Sequence, residues 1–594
     1  MLRTRLGWRL APAAKGTSPV LDSDRAARRL VAAVWVGCFA LLVVFAARTA
    51  TRLPLLDEHH NVPLLADPFG SWTAYWHPHN EHRIPVPKLL FVAAVKLAGN
   101  DFRAPVFMNA LLVAAAAAVL ARAVARARGR WAATDAAIPL TVMNLGQWEN
   151  LLWGFQIQFF ASTLLALLML ALVVGRGFAG SPARVAAAGL ITAWLPLCGA
   201  NGLALVPAFA CLLIYIGAVN LWAGGRRGRL TGGIALAAAA GGLALIPLYF
   251  HGLQPPAHHT PTRSLPVVAV NAANFVGLGF GSVGLTVHGP RPGVTAYAGG
   301  MLALLAATAG LLAAQLRSPE RRAAAVGIGC VIGGVLCLGL GLAYGRGAMT
   351  GVLAANRYTT LAMPLVAAVY VAWAALPSRP GRWVTAGLLA VLVAGLWANT
   401  REAFAVAEFW KHKQGRKEAE IRAGMPVTFV VDRHFPPSER EYTRAAYGLL
   451  RDRGFPVFRD LAPDPPLDET PVPVRVARAE GLEVRDGWFR VVGPKPGHLV
   501  LALPDRRYVY GVRLAYEAAS PRPIGLASLV SWDTDAAYPP RPGYGIIDNL
   551  YPTHGAPADG HVFIDRETDL LRIDLGDPGA GLRVHAVTIL SRRE

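Results

Sequence analysis

From Leu30 to Thr400 the sequence is a succession of apolar runs divided by short polar or basic breaks. The runs are each about 16 to 25 residues long, and a helix needs roughly 20 residues to cross the hydrocarbon core of a bilayer. Backbone amides in hydrocarbon must be bonded within their own segment, so these runs are expected to be helices. With 54% hydrophobic and 16% charged residues, the 594-residue chain is too apolar for an ordinary soluble protein, and the excess lies in that region. After Arg401 the composition becomes that of a soluble domain, rich in Pro, Asp, Arg and Tyr. The fold class this predicts is a polytopic α-helical membrane protein with about eleven spanning helices and a C-terminal extracytoplasmic domain.

A net charge of +21 would ordinarily suggest a nucleic-acid partner. Here much of it sits in short loops between apolar runs, the distribution the positive-inside rule produces, and no nucleic acid is expected. Basic clusters place on the cytoplasmic side the N-terminus, the ARAVARARGR run ending at Arg130, and the segments Arg176 to Arg184, Arg226 to Arg229, Arg317 to Arg322 and Arg379 to Arg382. Alternation then puts outside Thr51 to Arg103, Gly146 to Gly154, Cys198 to Gly202, His251 to Thr295, Tyr344 to Arg357 and everything after Thr400. Two apolar stretches must not cross: Ile84 to Ala98, short and carrying Lys88 and Lys96, reads as interfacial, and Pro266 to Leu285 as re-entrant or packed on the bundle. The expected organisation is a cytoplasmic segment 1–29, a transmembrane domain 30–400 with a large outer loop 51–103, an outer α/β element 401–465 and an outer β-sandwich 466–594. The location is an integral, multi-pass plasma or inner membrane. Cys38, Cys198, Cys211, Cys330 and Cys337 all lie in or beside apolar runs, so no disulfide framework supports the tail.

Carboxylates are few before Thr400. Asp57, Glu58, Asp67, Glu81, Asp101 and Glu149 are assigned outside, so an active site that needs a carboxylate should open outward. The first outer loop, LPLLDEHHNVPLLADPFGSWTAYWHPHNEHRIPVPKLL, holds Asp57 and Glu58 directly after the first helix, followed by His59, His60, His77, His79 and His82. An acidic pair beside apolar surface can have a raised pKa and act as a base. The histidines leave a divalent metal open, with His59 and His60 as ligands, since imidazole and carboxylate suit zinc or manganese. No pair has the HExxH arrangement, and no other cofactor is implied.

The second outer loop, NLGQWENLLWGFQIQFF, offers Gln147, Glu149 and Asn150 among indoles, a combination suited to a sugar. Asn201 in CGANG is a weaker instance, and His258 and His259 read as lid or spacer. In YGRGAMTGVLAANRYTT, Arg346, Arg357 and Tyr358 face outward against the positive-inside bias, and arginine makes forked bonds to phosphate oxygens.

A basic N-terminus, one helix and then an acidic pair in a long outer loop resemble the GT-C superfamily of membrane glycosyltransferases, which includes protein O-mannosyltransferases and lipid A aminoarabinose transferases. Leu56-Asp57-Glu58 carries the resemblance, with HNEHRIPVPKLLFVAAVKLAGNDFRAPV before the second helix; the His-His-Asn after the acidic pair departs from the pattern. The resemblance implies a polyprenyl-phosphate sugar donor, a glycan or protein acceptor, and Asp57, or failing that Glu58, as base. It also implies Arg346 and Arg357 on the lipid phosphate, with Glu149, Gln147, Asn150, His79, Glu81, His82 and Tyr358 around the substrates. The alternatives are a flippase or transporter for a lipid-linked glycan, and a surface-glycan polymerase or ligase.

In the tail, MPVTFVVDRHF and FPVFRDL read as strands around an amphipathic helix, SEREYTRAAYGLLRDRG. Beyond the proline-rich LAPDPPLDETPVP, alternating runs such as HLVLALP, YVYGVRLAYE and LRVHAVTIL read as a β-sandwich. Trp488 and Trp532 are open to glycan binding or core packing. No P-loop, nucleophile elbow or dinucleotide fingerprint occurs, so nucleotide use is not expected.

Overall fold

The computed structural model describes residues 24–593 except 81, 255–260, 282–284, 287–288, 291, 347–355, 376–378, 521–523, 530–547 and 554. Glu81, His258, His259 and Trp532 therefore lie outside the described residues. The chain divides into two compact units, 1–412 and 413–594.

The first unit is a helical bundle. Among the described residues, eight helices are long and apolar enough to cross a membrane, among them Asp24–Thr49, Ala104–Arg128, Gly154–Val173 and Pro319–Gly345. That is three fewer than the eleven crossings expected. The other three segments are present but short or broken: 133–142 is a 3-10 turn followed by one short helix, Pro182–Cys198 is apolar but short, and Thr359–Ala374 has 16 residues. Nearly every residue of Thr359–Ala374 is buried within the bundle, which relieves a segment of the need for a long lipid-facing surface. Leu265–Leu278 has 14 residues. At 1.5 Å per residue that is about 21 Å, short of the roughly 30 Å hydrocarbon core. Pro85–Leu97 buries Phe91, Val92 and Val95 on one face and leaves Leu89 and Leu97 exposed on the other, the form of an interfacial helix.

The last helix of the bundle corrects the expected boundary at residue 401. It runs unbroken as Arg379–Arg422, and the two units divide within it. No proline interrupts REAFAVAEFWKHKQGRKEAEIR, and its end is laced by Arg416–Glu420 and Arg422–Glu418 pairs one turn apart.

In the second unit the run expected as a first strand is the helix Val427–His434, and the second is the 3-10 turn Phe458–Asp460. A single parallel bridge between Pro426 and Ala462 is the strand pairing found there among the described residues. Short apolar runs do not distinguish a buried strand from a buried helix; here the run is a helix, on which Asp432 accepts from Arg444 and His561. The amphipathic helix Pro437–Asp452 is where the sequence puts it. The remainder is antiparallel sheet. Two long strands, Gly497–Ala519 and Ala558–Leu575, pair along their length with irregularities between Phe563 and Arg566 and between Thr568 and Leu570. One end of the first strand also pairs with Arg475–Glu480 and the other with Gly581–Arg592, so the sheet folds over a core that includes Leu501, Val512, Leu514, Ile573 and Ile589. Trp488 is not in that core; it is half-buried, with the Arg490 and Arg583 guanidinium carbons 5.7 and 5.3 Å from its ring.

Candidate active site

The acidic pair sits in a 3-10 helix, Leu56–Asn61, whose first residue has φ of 49°. A leucine at positive φ is uncommon and is held only where its surroundings over-determine it. Here the surroundings are visible. The Leu55 N–H donates to Glu58 Oε2 at 2.9 Å, and His59 Nδ1 donates to the Leu56 carbonyl at 2.6 Å. The other Glu58 oxygen accepts the Phe155 N–H at 3.1 Å, which ties the first outer loop to the second. Gly154 makes that approach possible, because a Cβ there would lie 2.8 Å from Pro105 Cβ and 3.0 Å from Glu58 Oε1.

The two acids are therefore in different environments. Glu58 is 2% exposed, and burial pushes its carboxyl up to about 8 against the partial relief of three backbone N–H groups. Asp57 is 37% exposed, with His79 Nε2 3.5 Å from its Oδ2. Burial alone would raise it, but His79, with His60 and Arg357 acting in the same direction, outweighs burial and holds it below the usual carboxylate range. The raised pKa expected of the acidic pair is thus found at Glu58, a buried bracket, and not at Asp57, which His79 keeps an ionised, reachable carboxylate.

His79 and His82 are the paired residues of a tight hairpin, exchanging backbone bonds of 2.7 and 2.9 Å around Asn80 at φ 49°. The His79 ring packs against Phe155 at 4.8 Å and His60 at 5.0 Å. His60 is exposed beside Asp57, whereas His59 is 2% exposed and donates to the Leu56 carbonyl, so the two do not converge as metal ligands. Among the described residues, no group of three or more His, Cys, Asp or Glu side chains is arranged to hold a metal.

Two cations that the loop sequence does not mark as special hold this region down. Arg83, 6% exposed, donates to the carbonyls of Trp76, Tyr249 and His251 at 2.9, 2.9 and 2.6 Å. Lys88 Nζ donates to Ala74 and His77 carbonyls at 3.1 and 2.7 Å, and burial brings its pKa down to about 8. A cation on a short apolar helix is the one available signal, since a buried charge must find polar partners.

The second outer loop meets the segment after residue 355. Arg357 N–H donates to Glu149 Oε2 at 3.0 Å, its guanidinium lies 3.5 Å from Oε1, and Glu149 N–H donates to Asn356 Oδ1 at 2.9 Å. Burial raises the Glu149 carboxyl despite Arg357. Tyr358 gathers both arginines: Arg346 donates to its hydroxyl at 3.0 Å and the Arg357 guanidinium carbon lies 5.6 Å from its ring centre. Gln147 and Asn150 are fully buried, and both are bonded to their neighbours. Gln147 bonds the Val142 carbonyl and the Thr360 hydroxyl, and Asn150 bonds the Arg357 carbonyl and Thr360. These bonds brace the segment, and among the described residues Asn150 Oδ1 is buried without a partner. Asn356 and Thr360, which the sequence reading passes over, are the other half of that brace.

No protein-family model matches this sequence, and no curated protein matches it. Solved structures that it resembles include ArnT from Cupriavidus metallidurans bound to undecaprenyl phosphate, at 18% identity and TM-score 0.37, covering 73% of each chain. Another is the arabinosyltransferase EmbB from Mycobacterium smegmatis, at 11% identity and TM-score 0.32, covering 98% of this chain and 66% of that one. A third is a low-affinity xylan-binding module from Roseburia intestinalis, at 16% identity and TM-score 0.16, covering 21% of this chain and 96% of the module.

Proposed function

We propose that this chain is a membrane glycosyltransferase that moves a sugar from a polyprenyl-phosphate donor to an acceptor hydroxyl on the extracytoplasmic side. The observation that carries the reading is the position of Asp57: ionised, open to substrate, oriented by His79 and within the electrostatic reach of Arg357. Base and phosphate-binding cation then serve one reaction centre. The acceptor oxygen attacks the anomeric carbon, the bond from that carbon to the lipid phosphate oxygen breaks, and Asp57 takes the hydroxyl proton. The departing lipid phosphate is already a stable anion and needs no strong acid. Arg357 and Arg346, gathered on Tyr358, supply fixed positive charge where its negative charge grows. Glu149 holds Arg357 in that position.

The test is Asp57→Asn in isolated membranes supplied with polyprenyl-phosphate sugars. Transfer is expected to fall by about 10²–10⁴-fold, the usual contribution of a positioned base, with expression and donor binding unchanged. Full transfer in that variant would remove Asp57 from the mechanism.

A further inference from the structure

Within the helical bundle a cavity of about 410 Å³ takes no part in the reaction outlined above. That volume is in the range of ligand sites, about 300–1,000 Å³. Its walls are one face of each of two spanning helices: Tyr297, Met301 and Leu304 on Ala296–Gln315, and Val384, Leu388 and Val391 on Arg379–Arg422. Both sets follow i, i+4, i+7 spacing, so the groove runs about 10 Å along the helices. Phe280 closes one end, its ring stacked on that of Tyr297 with centres 5.4 Å apart. Met301 and Leu388 are buried, whereas Gly300 and Gly387, which also line the space, are exposed. A Cβ built on either glycine would meet no atom within 4 Å. The groove is therefore floored by apolar side chains and open sideways. Beside two membrane-crossing helices the surrounding medium is hydrocarbon, so the occupant that suits it is a lipid chain.

Which lipid follows from what lies at the Phe280 end. The Phe280 carbonyl accepts from Asn399 Nδ2 at 3.1 Å and from Asn144 Nδ2 at 3.5 Å. Asn144 Oδ1 accepts the Gly146 N–H at 2.7 Å, and the Gly146 carbonyl accepts from Asn356, the neighbour of Arg357. The backbones touch there, since a Cβ on Gly146 would lie 2.6 Å from Gly281 Cα. One hydrogen-bonded junction thus joins the closed end of the groove to the segment that carries the arginine assigned to phosphate. A prenyl chain also carries a methyl branch on every unit, and the two glycines leave width that a straight acyl chain does not need. We propose that this groove seats the hydrocarbon chain of the polyprenyl-phosphate donor, with Gly300 and Gly387 admitting its branches. This rests on the glycosyltransferase reading for the lipid's headgroup, and goes beyond it in fixing where the chain runs.

The full chain in phosphatidylethanolamine nanodiscs is titrated with undecaprenyl phosphate and with geranyl phosphate, a short prenyl phosphate. Gly300→Leu and Gly387→Leu fill the groove from opposite helices. Each is expected to weaken undecaprenyl phosphate at least tenfold, since keeping about two methylene groups out of contact is worth that much, and to leave geranyl phosphate unchanged. In the wild-type chain, a polyprenyl phosphate with a diazirine on its chain should label peptides within 296–304 and 384–391, and unlabelled undecaprenyl phosphate should displace it. The proposal is overturned if the label falls elsewhere, if both leucine variants bind undecaprenyl phosphate normally, or if they lose geranyl phosphate equally. It is also overturned if a phosphatidylethanolamine with a diazirine on its acyl chain labels the same peptides and undecaprenyl phosphate does not displace it, which would make the occupant ordinary bilayer lipid. Undecaprenyl phosphate binding that needs Arg357 but ignores both leucine variants would strike the groove and leave the proposed function standing. Displaceable labelling of the groove, with binding indifferent to Arg357→Ala, would uphold the groove and strike the arginine site.

Discussion

Glu58 makes the fastening of the two outer loops dependent on pH, with a sign that can be fixed in advance. Its carboxyl sits at about 8 in the folded chain against 4.5 when free. A group raised on folding stabilises fully below its unfolded value, and that stability is lost as pH rises through the folded one. The window is therefore pH 4.5 to 8. Each pH unit across it is worth about 1.4 kcal/mol, so the full loss is about 5 kcal/mol, with about 3 kcal/mol already gone at pH 7. Glu58→Gln keeps the shape and stays neutral throughout, but turns an amide N–H₂ toward one of the backbone donors from Leu55 and Phe155, at a cost of about 1–3 kcal/mol. The variant should thus be the less stable protein at pH 4.5 and the more stable one at pH 8, with the curves crossing between. The assay is thermal unfolding of the full chain in nanodiscs by tryptophan fluorescence. It is paired with hydrogen exchange of peptides covering residues 53–60 and 150–158, comparing the two proteins at each pH so that the intrinsic exchange rate cancels. Parallel stability curves from pH 4.5 to 8, or exchange differences outside those peptides, would refute the bracket and its buried proton.

Arg357→Ala removes the cation that pairs with Glu149 and lies over the Tyr358 ring, and undecaprenyl phosphate should bind at least tenfold more weakly, as expected for a charge-assisted contact worth about 1.5–3 kcal/mol; unchanged affinity would dismiss the phosphate role. In the second unit, Asp432 is 2% exposed and accepts from Arg444 and from both the backbone N–H and the ring of His561, with Arg440 at 3.5 Å. Burial would raise it, but His561, Arg440 and Arg444 outweigh burial and hold it low, so its contribution is present above the free carboxylate value and lost as pH falls through the lower folded one. Asp432→Asn leaves Arg440, 4% exposed, short of its counter-charge and should destabilise residues 413–594 by about 3–5 kcal/mol, read as a lower melting transition of the full chain; an unchanged transition would show that the cluster contributes nothing.

The long apolar runs were legible because hydrocarbon imposes one solution on them. What composition could not settle was where burial inside the bundle relaxes that demand. Thr359–Ala374 is short because its neighbours, not lipid, surround it, and 133–142 is broken where side chains rather than a continuous helix satisfy the backbone, as Asp135 does for the Ala132 N–H. The tail misled for a related reason. VTFVVDRH has the apolar density of a strand, and only Asp432, Arg433 and His434, all buried against distant partners, decide for a helix. Candidate residues divided in the same way. Asp57 comes together with His79, and Arg346 and Arg357 with Tyr358, with Arg357 in electrostatic reach of Asp57. Gln147 and Asn150 have the same chemistry but bond to Arg357 and Thr360 of this chain, and no one-dimensional pattern separates an amide that binds a ligand from one that binds its own chain.

Asp57 and Glu58 show why adjacency in sequence can conceal a division of labour. A 3-10 helix turns about 120° per residue, so two neighbouring acids in it cannot face the same way. One must look into the junction between the loops and the other out of it. The strained φ at Leu56 sets where that turn begins, and Glu58 fixes it by reaching back to Leu55 and across to Phe155. Under the proposed mechanism, the placing of Asp57 follows from how Glu58 is held, so a change at the second residue would act on the first through geometry.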